Sequence, residues 1–157
     1  MKDEVGKVNN LVFHELHQKS RLSIKEVNEV LKAYGLYSSQ YSILFCLKRF
    51  GSMTQTEIWQ YLNVEAPTVT RTLTRLEKSG WIVRKAGSDK RERIVYLSPQ
   101  AKKKLPEIQQ EIERLEENLL IALSDSEQDQ LISLLKKICK STEKGEMNDE
   151  PAGANLD

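Results

Sequence analysis

Residues 54–80 read TQTEIWQYLNVEAPTVTRTLTRLEKSG, two short helical patterns with almost nothing between them. Thr54 and Glu57 make a capping box: the threonine hydroxyl can accept from the backbone N–H three residues on, and the glutamate can reach back. Ile58, Tyr61 and Leu62 recur at helical spacing up to Asn63, a residue that tolerates the left-handed conformation in which helices end. The second pattern opens at Ala66-Pro67, where the missing proline N–H costs nothing. Val69, Leu73 and Leu76 stand at i, i+4 and i+7 and form one apolar stripe. The opposite face carries Thr68, Arg71, Thr72, Arg75 and Lys78, with Glu77 at its margin.

A helix, a turn of about three residues and a second helix with a polar-basic outer face form a helix-turn-helix, whose second helix can enter a DNA major groove. Arginine presents a planar fork of donors to guanine O6 and N7. Threonines at the helix start let the backbone approach phosphates while their hydroxyls and methyls touch bases. The competing reading is a helical hairpin with a solvated basic face, so the flanking sequence has to decide.

Working outward, the period changes after Gly80. Trp81–Lys85 reads as a strand, GSDKRE as a turn and Arg93–Leu97 as a second strand. A charged hairpin appended to a helix-turn-helix is the mark of a winged helix. Lys90, Arg91 and Arg93 can reach the minor groove or flanking phosphates from its tip. Asp89 among them is expected to hold an arginine in one orientation through a salt bridge.

Charge is distributed to match. The net charge of +1 conceals a middle block, residues 66–104, with 11 Lys/Arg against 3 Asp/Glu, a balance of +8. Residues 105–157 hold 5 against 13, a balance of −8. A nucleic-acid footprint confined to the helix-turn-helix and its hairpin produces this asymmetry.

Upstream, Val8, Leu11, Val12, Leu16, Ile24, Val27, Val30, Leu31 and Tyr34 keep a helical period, as one long helix or two with an irregularity near Ser20–Ser23. Gly35 ends it. A second helix follows from Ser38 or Ser39 to Phe50, stopped by Gly51. Downstream of Pro99, Leu105, Ile108, Ile112, Leu115, Leu119 and Ala122 repeat at spacings of three and four, an a/d seam with acidic residues between. Ser124 and Glu127 make another capping box, and Leu131, Leu134, Leu135 and Ile138 continue a last amphipathic helix. One small domain cannot cover a seam this long, which points to self-association. Residues 141–157 carry a net charge of −4 and have the composition of a disordered tail.

The run TVTRTLTRLEKSGWIVR, then Asp89-Lys-Arg91 and Leu97-Ser98, resembles the MarR family of bacterial winged-helix regulators. That family shows a TVTRxLxxLExxGxIxR core and a DxR…LTxxG wing signature at this spacing. Leu36-x-x-x-Gln40-Tyr41 is similar to its LTxxQ[WFY] entry to the second helix. Ala101 stands where the signature has glycine, Ser98 where it has threonine, and the bulkier Trp59 where alanine is usual. The resemblance covers about residues 5–140. It implies a mainly α fold with a small β-hairpin. A winged helix-turn-helix (about 54–79, wing about 81–98) would be flanked by dimerisation helices at about 5–34 and 99–140, all one domain over 1–140. It also implies a homodimer on a near-palindromic double-stranded operator, acting as a transcriptional repressor. The DNA-binding residues would be Pro67, Thr68, Thr70, Arg71, Thr72, Arg75, Lys90, Arg91 and Arg93. Release would come from a small-molecule effector such as a phenolic acid, or from oxidation of a cysteine, at the junction of dimer helices and winged helix. The polar-aromatic residues that fall there are His14, His17, Tyr34, Tyr37 and Phe45, with core packing as the competing role for most.

Other classes find less support. No glycine-rich phosphate loop or H-E-x-x-H is present, so no enzyme chemistry and no cofactor are expected. His14 and His17 share a helix face but lack further ligands, which favours polar helix residues over a metal site. Cys46 lies among Leu44, Phe45 and Leu47 and reads as a small buried hydrophobe rather than a redox sensor, and neither it nor Cys139 belongs to a CxxC. A protein-interaction bundle would explain the acidic seam but not the +8 block or the hairpin. No apolar run reaches membrane-spanning length and MKDEVGKVNN carries no secretory core, so a cytoplasmic protein is expected.

Overall fold

The computed structural model describes residues 2–140, with side chains from residue 11 onward. The acidic stretch 141–157, expected to be disordered, lies outside the described residues. Two compact units divide the chain, the first running to Ser38 and the second starting at Ser39.

The first unit is a single continuous helix, α1 (Lys2–Leu31), followed by a 3-10 turn over Lys32–Tyr34. The serine pair near the expected irregularity does not break it: Ser23 Oγ donates to Ser20 O at 3.0 Å, one local bond on an unbroken helix. Gly35, at φ +67°, closes the segment, with its N–H on Lys32 O and the Leu36 N–H on Leu31 O. Asn28 Oδ1 accepts from the Ser38 N–H at 2.8 Å and ties the start of the next helix down.

That next helix is α2 (Ser38–Phe50). It leads into β1 (Met53–Thr54), the helix-turn-helix pair α3 (Gln55–Tyr61) and α4 (Ala66–Lys78), and the wing strands β2 (Ile82–Ala86) and β3 (Arg93–Leu97). The chain then runs through α5 (Pro99–Leu119) and α6 (Asp125–Leu135). Ile43, Leu44 and Leu47 of α2, Ile58 of α3, Val69, Leu73 and Leu76 of α4, and Leu105 and Ile108 of α5 are all buried. The apolar periods therefore mark the core side of every helix around the reading head.

The sheet is antiparallel in the order β1-β3-β2, with Met53 opposite Val95 and Ile82 opposite Leu97. The short β1 escapes a reading by periodicity because two residues cannot show a period. Its role is mechanical: Thr54 pairs with Ile94 of the wing and also caps α3. Ser98 closes the other end of the hairpin. Buried, it donates from Oγ to Gly80 O at 2.7 Å, accepts from the Ala101 N–H at 3.1 Å, and sends its own N–H to Trp81 O.

The C-terminal helices are shorter than their apolar repeats. The helix expected to carry the seam through Ala122 ends at Leu119, and the one expected through Ile138 ends at Leu135. The capping box of Ser124 and Glu127 starts a new helix close behind, which limits the first; Lys136–Lys140 forms turns, with Cys139 at φ +67°.

Candidate nucleic-acid interface

The reading head is built from two capped helices. Thr54 Oγ1 accepts from the Glu57 N–H at 3.1 Å while Glu57 Oε2 accepts from the Thr54 N–H at 2.8 Å, the reciprocal box expected. Asn63, at φ +52°, ends α3 as Gly35 ends its segment: its N–H reaches Gln60 O, and the Val64 N–H reaches Trp59 O. Gly80, at φ +81°, repeats the arrangement after α4, with the Trp81 N–H on Leu76 O. That left-handed turn folds the chain back so that β2 runs beside the helix it has just left.

With Val69, Leu73 and Leu76 buried, α4 turns Pro67, Thr68, Thr70, Arg71, Arg75 and Lys78 outward. Lys78 was not among the expected contacts, although it stands at i+7 from Arg71 on the same face. Thr72 is half-buried at the edge of the stripe, which sets it apart from the other expected contacts. Thr70, Thr72 and Thr74 donate their hydroxyl protons to Ala66 O, Thr68 O and Thr70 O at 2.9–3.0 Å. A threonine held this way offers lone pairs and a methyl outward, suiting an exocyclic amine or a thymine methyl rather than an acceptor.

At the wing tip Lys90, Arg91 and Arg93 are exposed. The Asp89 salt bridge is not among the ion pairs of the described residues. Instead Asp89 Oδ1 accepts from the Arg91 backbone N–H at 3.1 Å, and Asp89 O accepts from the Glu92 N–H at 3.0 Å. A carboxylate two residues upstream of an N–H closes a tight turn more readily than it reaches a long guanidinium. Asp89 thus shapes the tip backbone.

The acid that does hold an arginine is Glu77. Its Oε2 accepts from Arg84 Nε at 3.2 Å and its Oε1 from Arg84 Nη2 at 3.0 Å. Arg84 beside it pulls the Glu77 carboxyl below its ordinary range, chiefly through that hydrogen bonding. Between α3, α4 and the wing lies a cavity of about 170 Å³ whose wall includes Trp59, Val69, Thr70, Arg91 and Arg93. The bulky Trp59 is accommodated there, half-buried.

The expected effector residues fall in both units. His14 and His17 are exposed on α1, His17 with its ring 6.4 Å from that of Phe13. Tyr34 and Tyr37 also belong to the first unit, whereas Phe45 belongs to the second, where its ring lies 6.3 Å from that of Tyr41. Cys46 is buried in α2, and burial pushes its thiol up to about 11. Among the described residues no group of three or more His, Cys, Asp or Glu could hold a metal ion, and no helix is long and apolar enough to cross a membrane.

A basic helix on a helix-turn-helix, flanked by an antiparallel hairpin with a basic tip, defines a winged-helix DNA-binding protein. The sequence profile of the MarR family matches residues 36–92, from the approach to α2 through the helix-turn-helix to the wing tip. An HTH-type transcriptional regulator of Bacillus subtilis (strain 168), YwoH, is 49% identical over 129 residues, 82% of this chain and 94% of that protein. Two solved structures are similar over most of the chain. AbfR in overoxidized form bound to DNA has 27% identity and a TM-score of 0.76, over 90% of this chain and 99% of its own. A MarR variant from E. coli complexed with operator DNA has 26% identity and a TM-score of 0.75, over 81% and 92%. The chain belongs to the MarR family and is a DNA-binding transcriptional regulator. The interaction bundle without DNA function is set aside.

Proposed function

We propose that the protein is a homodimeric repressor that reads a near-palindromic operator, with Arg71 as the base-reading residue of α4 and Arg91 as the phosphate contact of the wing. It acts by binding rather than catalysis, in the cytoplasm where its DNA target lies. The observation that carries the dimer is a fade in burial along one apolar repeat. Ile112 is 3% exposed and Leu119 42%, and in α6 Leu134 is 51% exposed. Leu119 and Leu134 are each already about half buried, so leaving them in water forgoes roughly half of the about 1.5–3 kcal/mol that full burial of a leucine is worth, which a second copy of the same helices would recover. The acidic residues between them repel phosphate, so a dimer joined there presents its basic reading heads to DNA in one orientation.

One recognition helix reads only a few base pairs, too few for selectivity against a genome of competing sites. Two helices related by a two-fold axis read half-sites about one turn, ~34 Å, apart. AbfR and E. coli MarR, both solved on DNA, support this use of the fold. Release by a small-molecule effector completes the proposal. Hydroxyl-radical footprinting on a duplex that the protein has enriched tests the geometry. Two equivalent protected patches about one turn apart are expected; a single asymmetric patch would refute the two-fold reading.

A further inference from the structure

Arg84 sits inside the most basic block of the chain yet is withdrawn from its surface. Strand alternation places it on the same face of the hairpin as Ile82, and its register partner on β3 is the buried Val95. Its side chain is 17% exposed. The guanidinium is engaged on three sides: Nε and Nη2 on the two oxygens of Glu77, Nη2 also at 3.4 Å from Thr74 Oγ1, and Nη1 at 3.4 Å from Gln55 Oε1. The Arg84 backbone N–H donates to Glu77 Oε2 as well, at 3.1 Å. Glu77 and Thr74 belong to α4, Gln55 opens α3, and Arg84 is the midpoint of β2. One side chain therefore joins both helices of the reading head to the wing.

We infer that Arg84, held by Glu77, is a positioning residue that fixes the angle between the wing and the recognition helix, and that it does so without touching DNA. The hairpin is anchored at its base by Ser98 on Gly80 and Trp81. Its tip, residues 87–92, lies at the far end of both strands. β1 also holds the β3 strand, at Ile94 and Val95, but β2 is the outer strand of the sheet, and without a tie to α4 that edge and the tip beyond it are free to swing. The midpoint clamp removes that freedom before DNA arrives, so α4 and the wing tip meet the duplex in one preset offset. Paired N–H···O bonds from a planar fork hold orientation as well as distance, which a lysine could not do.

The inference rests on the DNA-binding reading and is separable from it. The probes are a duplex enriched from a random pool by the wild-type protein and a scrambled duplex of equal length, each titrated by fluorescence anisotropy over a range of salt. Arg84→Met and Glu77→Gln should each lower affinity for the enriched duplex about tenfold, with the double variant no worse than the weaker single. The slope of log K against log salt should stay at the wild-type value for Arg84→Met. A phosphate contact would instead lower it by about 0.9 per subunit, and that result would overturn the inference. Tighter binding of the enriched duplex by Glu77→Gln, the outcome if charge alone mattered, would overturn it too, as would wild-type affinity in both single variants. Thermal unfolding shows whether each variant is folded; should Arg84→Met not fold, the near-isosteric Glu77→Gln decides. Failure of the wild-type protein to distinguish the two duplexes would instead count against the DNA-binding reading itself.

Discussion

Replacing Arg91 with alanine is expected to change how DNA binding depends on salt more than how it depends on sequence. Arg91 is exposed at the wing tip and takes part in none of the ion pairs among the described residues. Its backbone is held by Asp89, so truncating the side chain leaves the turn intact. One phosphate neutralised per subunit contributes about 0.9 to the slope of log K against log salt, or about 1.8 for a dimer. Raising salt from about 50 to about 200 mM spans roughly 0.6 logarithmic units, so the two arginines together account for about 1.1 units, or about twelvefold. Arg91→Ala should therefore bind more weakly than wild type at the lower salt, with the gap closing by about tenfold at the higher. Arg71→Ala is the contrast: as a base reader it should cost about 1–3 kcal/mol and flatten preference at particular operator positions. Anisotropy titrations at four or five salt concentrations give both slopes. An Arg91→Ala slope equal to that of wild type would refute the wing assignment.

Leu119→Lys places a charge on the exposed end of the α5 repeat and should abolish both dimerisation and operator binding without altering a DNA contact; a folded monomer, by analytical ultracentrifugation, that bound as wild type would break the coupling. Asp89→Ala should weaken operator binding because the tip loses its turn, whereas Asp89→Asn keeps an oxygen for the Arg91 N–H and should bind at least as well as wild type; a loss with asparagine equal to that with alanine would show that the charge itself matters. In a Cys139→Ser background, Cys46 should react with a thiol reagent only after unfolding, since a rise from 9.0 to about 11 cuts its thiolate about a hundredfold at neutral pH and burial blocks access; rapid native labelling would contradict this.

The reading head was legible because each of its signals is local. The capping box of Thr54 and Glu57, the left-handed exit at Asn63 and the Val69–Leu73–Leu76 stripe each involve residues within one or two turns of one another. The wing was legible from the change of period after Gly80. What escaped was set by partners distant in sequence. β1 exists because Met53 finds Val95 across the sheet. The Arg84 clamp exists because the Gly80 turn lays β2 against α4, bringing Glu77 and Arg84 face to face seven residues apart. A signal was present there: a basic residue two positions from Ile82, on the inner face of the strand, calls for an acidic partner. Arg91 and Arg93, two and four residues from Asp89, suggest a salt bridge there instead. In the folded chain its carboxylate accepts from a backbone N–H, that of Arg91. At the seam, the apolar spacing runs on past Leu119, but a capping box at Ser124 starts the next helix and limits the first.

The central claim is that this chain reads DNA sequence with two copies of α4. Selection from a random pool of duplexes by the purified full-length protein, followed by sequencing, tests it most directly. Enrichment of an inverted repeat, its half-sites centred about one helical turn (~10 base pairs) apart, is the result the account predicts. A selected pool indistinguishable in sequence from the input, at salt low enough for binding to occur, would contradict it.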